Sequence, residues 1–139
     1  MRHIVVLVSS LCLVLAVTTP IAAQSTPTVQ ITANAQLGNI LADARGMTLY
    51  RFTRDEPNVS NCYDQCAQNW PPLLVDAGDP MAPAGLGGAL GVTARRDGSR
   101  QVTYNGMPLY YFARDAGPGD TAGQNVGGVW YVVEAAAAS

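Results

Sequence analysis

Two tyrosine–aspartate pairs are the residues of this 139-residue sequence that could most readily do chemistry. Tyr50 is followed by Asp55, and Tyr110 is followed by Asp115 at the same spacing. Two carboxylates held about 5–9 Å apart can act as general acid and base on a glycosidic bond. Aromatic side chains with a few carboxylates also line grooves that bind sugars and other small molecules. The pairs therefore allow either acid–base catalysis or ligand binding.

The first 23 residues have the pattern of a secretory signal peptide. A basic start, Met1–His3, precedes the apolar run Ile4–Val17, and small residues precede a predicted cleavage after Ala23. The apolar run is shorter than the roughly 20 residues of a membrane span. Cys12 follows Leu11, where a lipidation signal needs a small residue. We therefore expect an exported, soluble protein, periplasmic or extracellular, with no membrane span in the mature chain.

The remaining chain suits one domain, and its composition excludes several classes of site. His3 is the only histidine, and it lies inside the predicted signal peptide. A mature chain without histidine excludes Ser-His-Asp and Cys-His catalysis, histidine-ligated zinc or copper, and c-type haem attachment. The formal net charge is −2, and no basic run indicates a nucleic-acid partner. We expect no enzymatic activity and no cofactor.

The tyrosine–aspartate pairs lie inside an internal repeat. Residues 46–55 and 106–115 are identical at seven of ten positions, and Trp70 recurs as Trp130 at the same offset of 60. In each copy a glycine, which tolerates the positive φ of a tight turn, precedes the alternating residues of a strand. The repeat therefore predicts a mainly β fold, a small antiparallel-sheet domain of two pseudo-symmetric repeats.

Three turns are predicted to join neighbouring strands. Ala44-Arg45-Gly46 connects a strand at 38–43 to the first repeat strand. Asp97-Gly98 and Asn105-Gly106 are strong hairpin signals between alternating runs. We therefore expect a meander that leads into the second repeat strand.

The predicted mature chain divides into a leader, one domain and a tail. Residues 24–37 are polar and are predicted to form a flexible leader, although Val29–Thr32 alternates and is also compatible with a first strand. A single β-rich domain is predicted over 38–134, with repeats at about 38–75 and 91–134. The glycine- and proline-rich stretch 75–90 is predicted to be a surface loop, and 135–139 a frayed tail.

Cys62 and Cys66 are the two cysteines of the predicted mature chain. In an exported protein such a pair favours a disulfide. We predict a short helix from Ser60 or Asn61 to Asn69, on which a separation of four places the two Cα atoms about 6 Å apart, within the range of a disulfide. A redox dithiol is the alternative, although the spacing is not that of a Cys-x-x-Cys motif.

The aromatic residues of the repeat have two interpretations. Tyrosines and tryptophans at strand spacing are most often packed in a core. The alternative is a groove shared by the two copies, in which these rings and the carboxylates contact a ligand. The candidate binding residues are Tyr50, Asp55, Tyr110, Asp115, Trp70 and Trp130.

The repeat also carries a resemblance to a known family. Tyr50-x-Phe52-x-x-Asp55 and its second copy resemble the Tyr-x-(Phe/Trp/Tyr)-x-x-Asp motif of a bacterial family of secreted repeats and predicted lipoproteins. The segment from Cys62 to Pro72 and the closing Gly128-Val129-Trp130 are similar to that family as well. The resemblance implies a bacterial exported protein with tandem repeats, and it implies no activity. This chain departs from the lipoprotein members because it has no suitable lipidation cysteine.

The sequence favours an exported, non-catalytic repeat module that binds a small molecule or an envelope component, or that has a structural role in the bacterial envelope. The alternative is a metal-binding or redox periplasmic protein. Copper could use the methionines at 47, 81 and 107, because thioethers are soft ligands. Calcium could use the aspartates at 55, 115 and 120. Neither set has a known ligand spacing, so no metal-ligating residue is assigned.

Overall fold

The computed structural model describes residues 25–139, which form three small antiparallel sheets, one α-helix and a single 3-10 turn. The prediction of a mainly β, antiparallel fold is confirmed. The predicted signal peptide, 1–23, lies outside these residues. No helix within 25–139 is long and apolar enough to cross a membrane. In chain order the elements are β1 (Val29–Asn34), β2 (Gly38–Asp43), β3 (Tyr50–Phe52), α1 (Gln65–Asn69), β4 (Leu90–Ala94), β5 (Arg100–Tyr104), β6 (Met107–Pro108), the 3-10 turn Val126–Gly128 and β7 (Trp130–Val132).

The prediction of a flexible leader over 24–37 is wrong for residues 29–34, which form β1. This strand pairs antiparallel with β2 in a register that joins Val29 to Asp43 and Asn34 to Gly38. The alternating apolar side chains explain the strand, because Val29 is fully buried and Ile31 packs against the same core. The polar composition of the segment concealed a strand whose other face carries half-buried polar residues.

The predicted turns join the predicted strands. Gly46 adopts a φ of 88°, and beyond it Leu49 N–H donates to the Leu41 carbonyl over 3.0 Å. β2 therefore pairs with the first repeat strand as well as with β1. The hairpin between β4 and β5, with Gly98 at φ 83°, and the Asn105-Gly106 turn into β6 are also present.

The last segment of each copy pairs with strands of the other copy. β7 belongs to the second copy but pairs with β3 of the first. Conversely, Leu73 of the first copy donates its N–H to the Leu109 carbonyl over 3.0 Å and accepts the Val102 N–H over 2.8 Å. Between them, Tyr50 and Tyr110 exchange a pair of backbone hydrogen bonds of 2.8 and 2.9 Å. Because each copy completes the sheet of the other, neither copy has its own full set of strand partners.

Alternation along the repeat strands divides the interior into two cores. Leu49 and Leu109 lie in an aliphatic core, whereas Tyr50 and Tyr110 lie in an aromatic core. All four side chains are fully buried. Successive side chains of these strands therefore point to opposite faces, as predicted, and the protein itself covers both faces.

The helix is shorter than predicted. It begins at Gln65 rather than at Ser60 or Asn61, because Asp64 has a φ of 54° and its side chain makes no capping hydrogen bond. Cys62 therefore precedes the helix, and only Cys66 lies on it. The predicted end at Asn69 is confirmed.

The predicted frayed tail over 135–139 is wrong up to Ala138. Ala135 N–H donates to the Asn39 carbonyl over 2.9 Å, and the Ala136 carbonyl accepts the Gly87 N–H over 2.8 Å. Ala138 N–H donates to the Gly85 carbonyl over 3.1 Å. The first of these bonds ties residues 135–138 to β2, and the other two tie them to the loop at 75–90. Small alanine side chains carry no periodic signal, so this pairing has no signature in the sequence.

Candidate functional site

The repeated tyrosine and aspartate residues pair across the two copies, not within one copy. The Tyr50 hydroxyl donates to Asp115 Oδ2 over 2.6 Å, and we call this pair the first clasp. The Tyr110 hydroxyl donates to Asp55 Oδ2 over 2.7 Å, and this pair is the second clasp. The motif therefore joins the two repeats through reciprocal hydrogen bonds to charged acceptors, which are stronger than neutral ones.

The second oxygen of each aspartate holds the loop that follows its strand. Asp55 Oδ1 accepts the Asn61 N–H over 2.7 Å, and Asp115 Oδ1 accepts the Ala122 N–H over 3.0 Å. Burial raises the pKa of both carboxyl groups, although these hydrogen bonds act in the opposite direction. Burial also raises the pKa of Tyr50 and Tyr110, so the phenols remain donors at neutral pH.

The second clasp continues into a buried polar network. The Ser60 hydroxyl lies 2.7 Å from the Tyr110 oxygen and donates to it, because the tyrosine proton is directed at Asp55. Arg95 donates to Ser60 Oγ over 2.9 Å, to Gln101 Oε1 over 2.8 Å and, through Nη2, to a backbone carbonyl, that of Cys62, over 2.7 Å.

Arg95 is a buried cation without a carboxylate in direct contact. Its exposed fraction is 7 %, and its three acceptors are all neutral. Its guanidinium also lies 4.4 Å from the centroid of the Tyr63 ring, a favourable position for a cation. Asp55 is the nearest motif carboxylate in this network, reached through Ser60 and Tyr110.

Four aromatic rings form a continuous stack across the two copies. Trp70 and Trp130 are parallel, with centroids 3.9 Å apart and an angle of 3° between the planes. Phe52 stacks on Trp130 and Phe112 stacks on Trp70, each at 4.2 Å. The clasp tyrosines contact this stack edge-on, Tyr50 against Trp70 at 5.4 Å and Tyr110 against Trp130 at 5.1 Å. The phenylalanine of each copy of the motif thus supplies one of the two outer rings.

The predicted disulfide is confirmed. Cys62 and Cys66 are bonded, and their Cα atoms lie 5.2 Å apart. Cys62 is fully buried within the aromatic core beside Tyr50 and Trp70. The disulfide therefore fixes the segment that carries Trp70 into the stack.

The six candidate binding residues come together, but mostly inside the protein. Tyr50 and Tyr110 have no exposed surface, and Trp70 and Trp130 are each 5 % exposed. Asp115 is half-buried and lies outside the two cavities beside β3, whereas Asp55 lines one of them. The rings have partners within the fold, as the packing interpretation expects.

Two open cavities flank the centre of β3, and of their lining residues only Asp55 and Met107, and not Arg51, are candidate binding or metal-ligating residues from the sequence. The first has a volume of about 260 Å³ and extends towards the Asn105-Gly106 turn, and the second, of about 210 Å³, extends along β7. Arg51 and Met107 line both. We call these joined cavities the Arg51 groove. Its other principal lining residues are Phe52, Asp55, Glu56, Pro108, Tyr131 and Glu134.

Arg51 differs from its counterpart in the second copy. Tyr111 occupies that position and donates to Asp43 Oδ2 over 2.9 Å, while Arg45 forms a salt bridge of 2.9 Å with the same oxygen. Burial acts to raise the pKa of Asp43, but hydrogen bonds from Met47, Tyr111 and Arg45 outweigh it and hold the pKa below its ordinary value. The salt bridge of Arg45 is the only one between residues 25 and 139, so Arg51 has no ion pair there.

The guanidinium of Arg51 lies 5.1 Å from the centroid of the Tyr131 ring, its direct partner in the pairing of β3 with β7. The sequence signal that could have located this site is the difference itself, since Arg51 and Tyr111 interrupt otherwise matching strands. A position at which the two copies differ is one whose residue type is not determined by the pairing between the copies.

Within the part of the chain that the structure covers, no three histidine, cysteine or acidic side chains are grouped so that they could hold a metal ion. Of the methionines considered as copper ligands, Met81 is exposed and Met47 is half-buried. Met107 lines the Arg51 groove.

A family model described as a secreted repeat of unknown function matches residues 31–74 and 91–134. The two matches coincide with the two copies found in the sequence, and the first begins inside β1. No curated protein and no solved structure matches the chain. The matches cover more than half of the sequence, and the chain belongs to this family of secreted repeats.

Proposed function

We propose that this secreted repeat protein is a non-catalytic module that binds a small ligand in the Arg51 groove. The observation that carries the proposal is the unpaired Arg51 guanidinium on the wall shared by two adjoining cavities. A concave surface with an apolar wall and a few convergent polar groups is the usual form of a small-molecule site. The structural role in the envelope considered from the sequence becomes the interpretation to adopt if the groove binds nothing.

The arrangement of the motif aspartates supports a non-catalytic role. Both oxygens of Asp55 and both oxygens of Asp115 accept hydrogen bonds from the protein's own donors. A glycosidase needs one carboxyl group free to protonate a leaving group and a second free to act as a base or nucleophile. Two of these bonds join the repeats and two hold the loops that follow the strands, which supports a structural rather than a catalytic role for both carboxylates.

The framework around the groove supports a preformed site. β3, which carries Arg51, lies between β7 and the β6 segment, and its neighbours Tyr50 and Phe52 are fixed by the first clasp and the aromatic stack. A site whose walls are already ordered loses less conformational entropy when a ligand binds. The repeats would therefore provide a rigid support, and the residues that differ between the copies would provide the ligand contacts.

Amide chemical shifts test this proposal residue by residue. The oxidised mature domain, labelled with ¹⁵N, is screened against mixtures of small polar metabolites. We expect at least one compound to shift the amides of Glu56, Gly106 and Tyr131 at the groove, while Gly98 in the β4–β5 turn does not respond. Saturable shifts that cluster elsewhere, or no saturable shift in a broad screen, would contradict ligand binding in the groove.

A further inference from the structure

We infer that the ligand of the Arg51 groove is a small dipolar molecule that carries both an anionic and a cationic group, as a free amino acid does. The inference rests on the proposed function and names the ligand class. The structure supplies one unpaired cation and neighbouring carboxylates on the walls of the same cavity.

The anionic group would bind at Arg51. A guanidinium presents several N–H donors in one plane, which suits a carboxylate better than any other common group. The Tyr131 ring below the guanidinium limits its orientations and leaves its edge as the donor surface. In the second copy, Tyr111 and Arg45 already share Asp43, so the corresponding position has an internal carboxylate.

The cationic group would bind at the carboxylates that line the first cavity. Glu56 is exposed and lines this cavity together with Asp55. All three residues line the same cavity, yet no salt bridge within residues 25–139 joins Arg51 to either carboxylate. The opposite charges of this cavity are therefore not paired with each other, and a ligand that carries both charges would pair with both.

The same arrangement disfavours ligands with a single charge. A lone anion at Arg51 would lie near the carboxylates of Glu56 and Glu134, and a lone cation near Glu56 would lie in the field of Arg51. Phe52, Met107 and Pro108 add apolar surface to the same cavity. The first cavity, which both Arg51 and Glu56 line, has a volume of about 260 Å³, below the range of about 300–1,000 Å³ that is typical of drug-sized ligands. The ligand is therefore small.

Three probes with the same phenyl body separate these cases. Phenylalanine has both charges, phenylacetate has the anion alone, and phenethylamine has the cation alone. Each is titrated into the oxidised domain at pH 7 to about 20 mM, which detects millimolar Kd values, and the Gly106 amide is followed by NMR. We expect phenylalanine to bind about tenfold more tightly than either singly charged probe. No saturable shift with phenylalanine would overturn the inference.

Two variants test the charged ends, and one serves as a control. Arg51→Met is expected to weaken phenylalanine about tenfold. Glu56→Gln is also expected to weaken phenylalanine and, because it removes a repulsive charge, to strengthen phenylacetate. Arg54→Met removes a neighbouring exposed arginine that does not line the groove, and binding is expected to stay unchanged. Weakening by Arg54→Met equal to that by Arg51→Met would overturn the assignment.

The probes also separate failure of this inference from failure of the proposed function. If phenylacetate binds as tightly as phenylalanine and the binding depends on Arg51, the groove is a ligand site and the dipolar class is wrong. If none of the probes binds and the metabolite screen is also negative, both proposals are wrong.

Discussion

The first and second clasps use the same motif and nearly the same hydrogen-bond length, but their surroundings differ. In the first clasp, the Tyr50 oxygen accepts the Gly123 N–H over 3.2 Å, and the chain of contacts ends there. In the second clasp, the Tyr110 oxygen accepts from Ser60, which leads to the buried Arg95. The motif therefore provides the hydrogen bond that joins the repeats in each clasp. Residues outside the motif determine whether the clasp tyrosine also connects to a buried polar network.

The same distinction applies to Arg51 and Tyr111. Tyr111 is hydrogen-bonded to Asp43 inside the fold, whereas Arg51 lies at the groove without an ion pair among residues 25–139. The two copies share the same strand framework. Their difference at positions 51 and 111 leaves the first copy with a side chain that can bind a ligand. The first copy carries both the disulfide and Arg51, so most of the asymmetry of the domain lies on that side.

The largest difference between the clasps is expected from Arg95. Arg95→Met leaves buried acceptors at Ser60, Gln101 and the Cys62 carbonyl without their donor, and should lower the free energy of unfolding by about 2–4 kcal/mol. Urea denaturation measures the change. Arg96→Met, which removes an exposed cation over the same Tyr63 ring, is the control and should cost less than about 1 kcal/mol. Equal losses in the free energy of unfolding for the two variants would show that the buried network does not stabilise the fold more than the exposed cation does.

The tyrosines themselves should report the same asymmetry. Tyr110→Phe removes bonds to Asp55 and to buried Ser60, and should cost about 2–3 kcal/mol. Tyr50→Phe removes one strong bond and one long one, and should cost about 1.5 kcal/mol. Thermal and urea unfolding of the two variants give the comparison. A larger cost for Tyr50→Phe would reverse our ranking of the two clasps.

The disulfide distinguishes the copies in a third way. The residue after the loop amide that binds the clasp aspartate is Cys62 in the first copy and Gly123 in the second. Reduction opens a five-residue loop, and the entropy of loop closure predicts a loss of about 2 kcal/mol. Urea unfolding with and without a phosphine reductant measures it. A variant with alanine at both positions should be insensitive to the reductant, which controls for other effects of the reagent.

The smallest expected effect is a difference in pH dependence. Because burial raises the pKa of Asp115, its contribution to stability is fully present below the unfolded pKa of about 3.9 and is lost as pH rises through the folded value. The pKa of Asp43 is lowered, so its contribution is present above about pH 3.9 and is lost as pH falls through the folded value. Unfolding is measured from pH 3 to pH 7 for wild type, Asp115→Asn and Asp43→Asn.

Relative to wild type, the cost of Asp115→Asn should shrink as pH rises, whereas the cost of Asp43→Asn should grow. Parallel pH profiles for the two variants would contradict the opposite directions of the two pKa shifts.

Much of the fold follows from local signals in the sequence. The repeat, the Asp97-Gly98 and Asn105-Gly106 turns and the cysteine pair each act over a few residues, and each predicted feature is present. The polar composition of the segment that contains β1 instead predicts a leader. The pairing of Ala135–Ala138 depends on a distant loop, and the late start of the helix depends on the conformation of Asp64. Neither has a local signature.

The candidate site was harder to predict for a related reason. Tyr50 and Asp55 lie on one strand and its exit, so the sequence suggests that they act together, yet each finds its partner in the other copy. Such an exchange depends on the way the repeats pair, which the motif spacing does not contain. Arg51 does not match the repeated residues, so the repeat does not mark it as a candidate. The same difference from Tyr111 leaves Arg51 at the groove without an ion pair among residues 25–139.

A pair of double-mutant cycles tests the cross-copy pairing most directly. One cycle combines Tyr110→Phe with Asp55→Ala, which are partners across the copies. The other combines Tyr50→Phe with Asp55→Ala, which share one copy of the motif. From urea unfolding we expect a coupling energy of about 1–2 kcal/mol in the first cycle and below about 0.5 kcal/mol in the second. Strong coupling in the second cycle with none in the first would show that the motif acts within each repeat and would contradict the account.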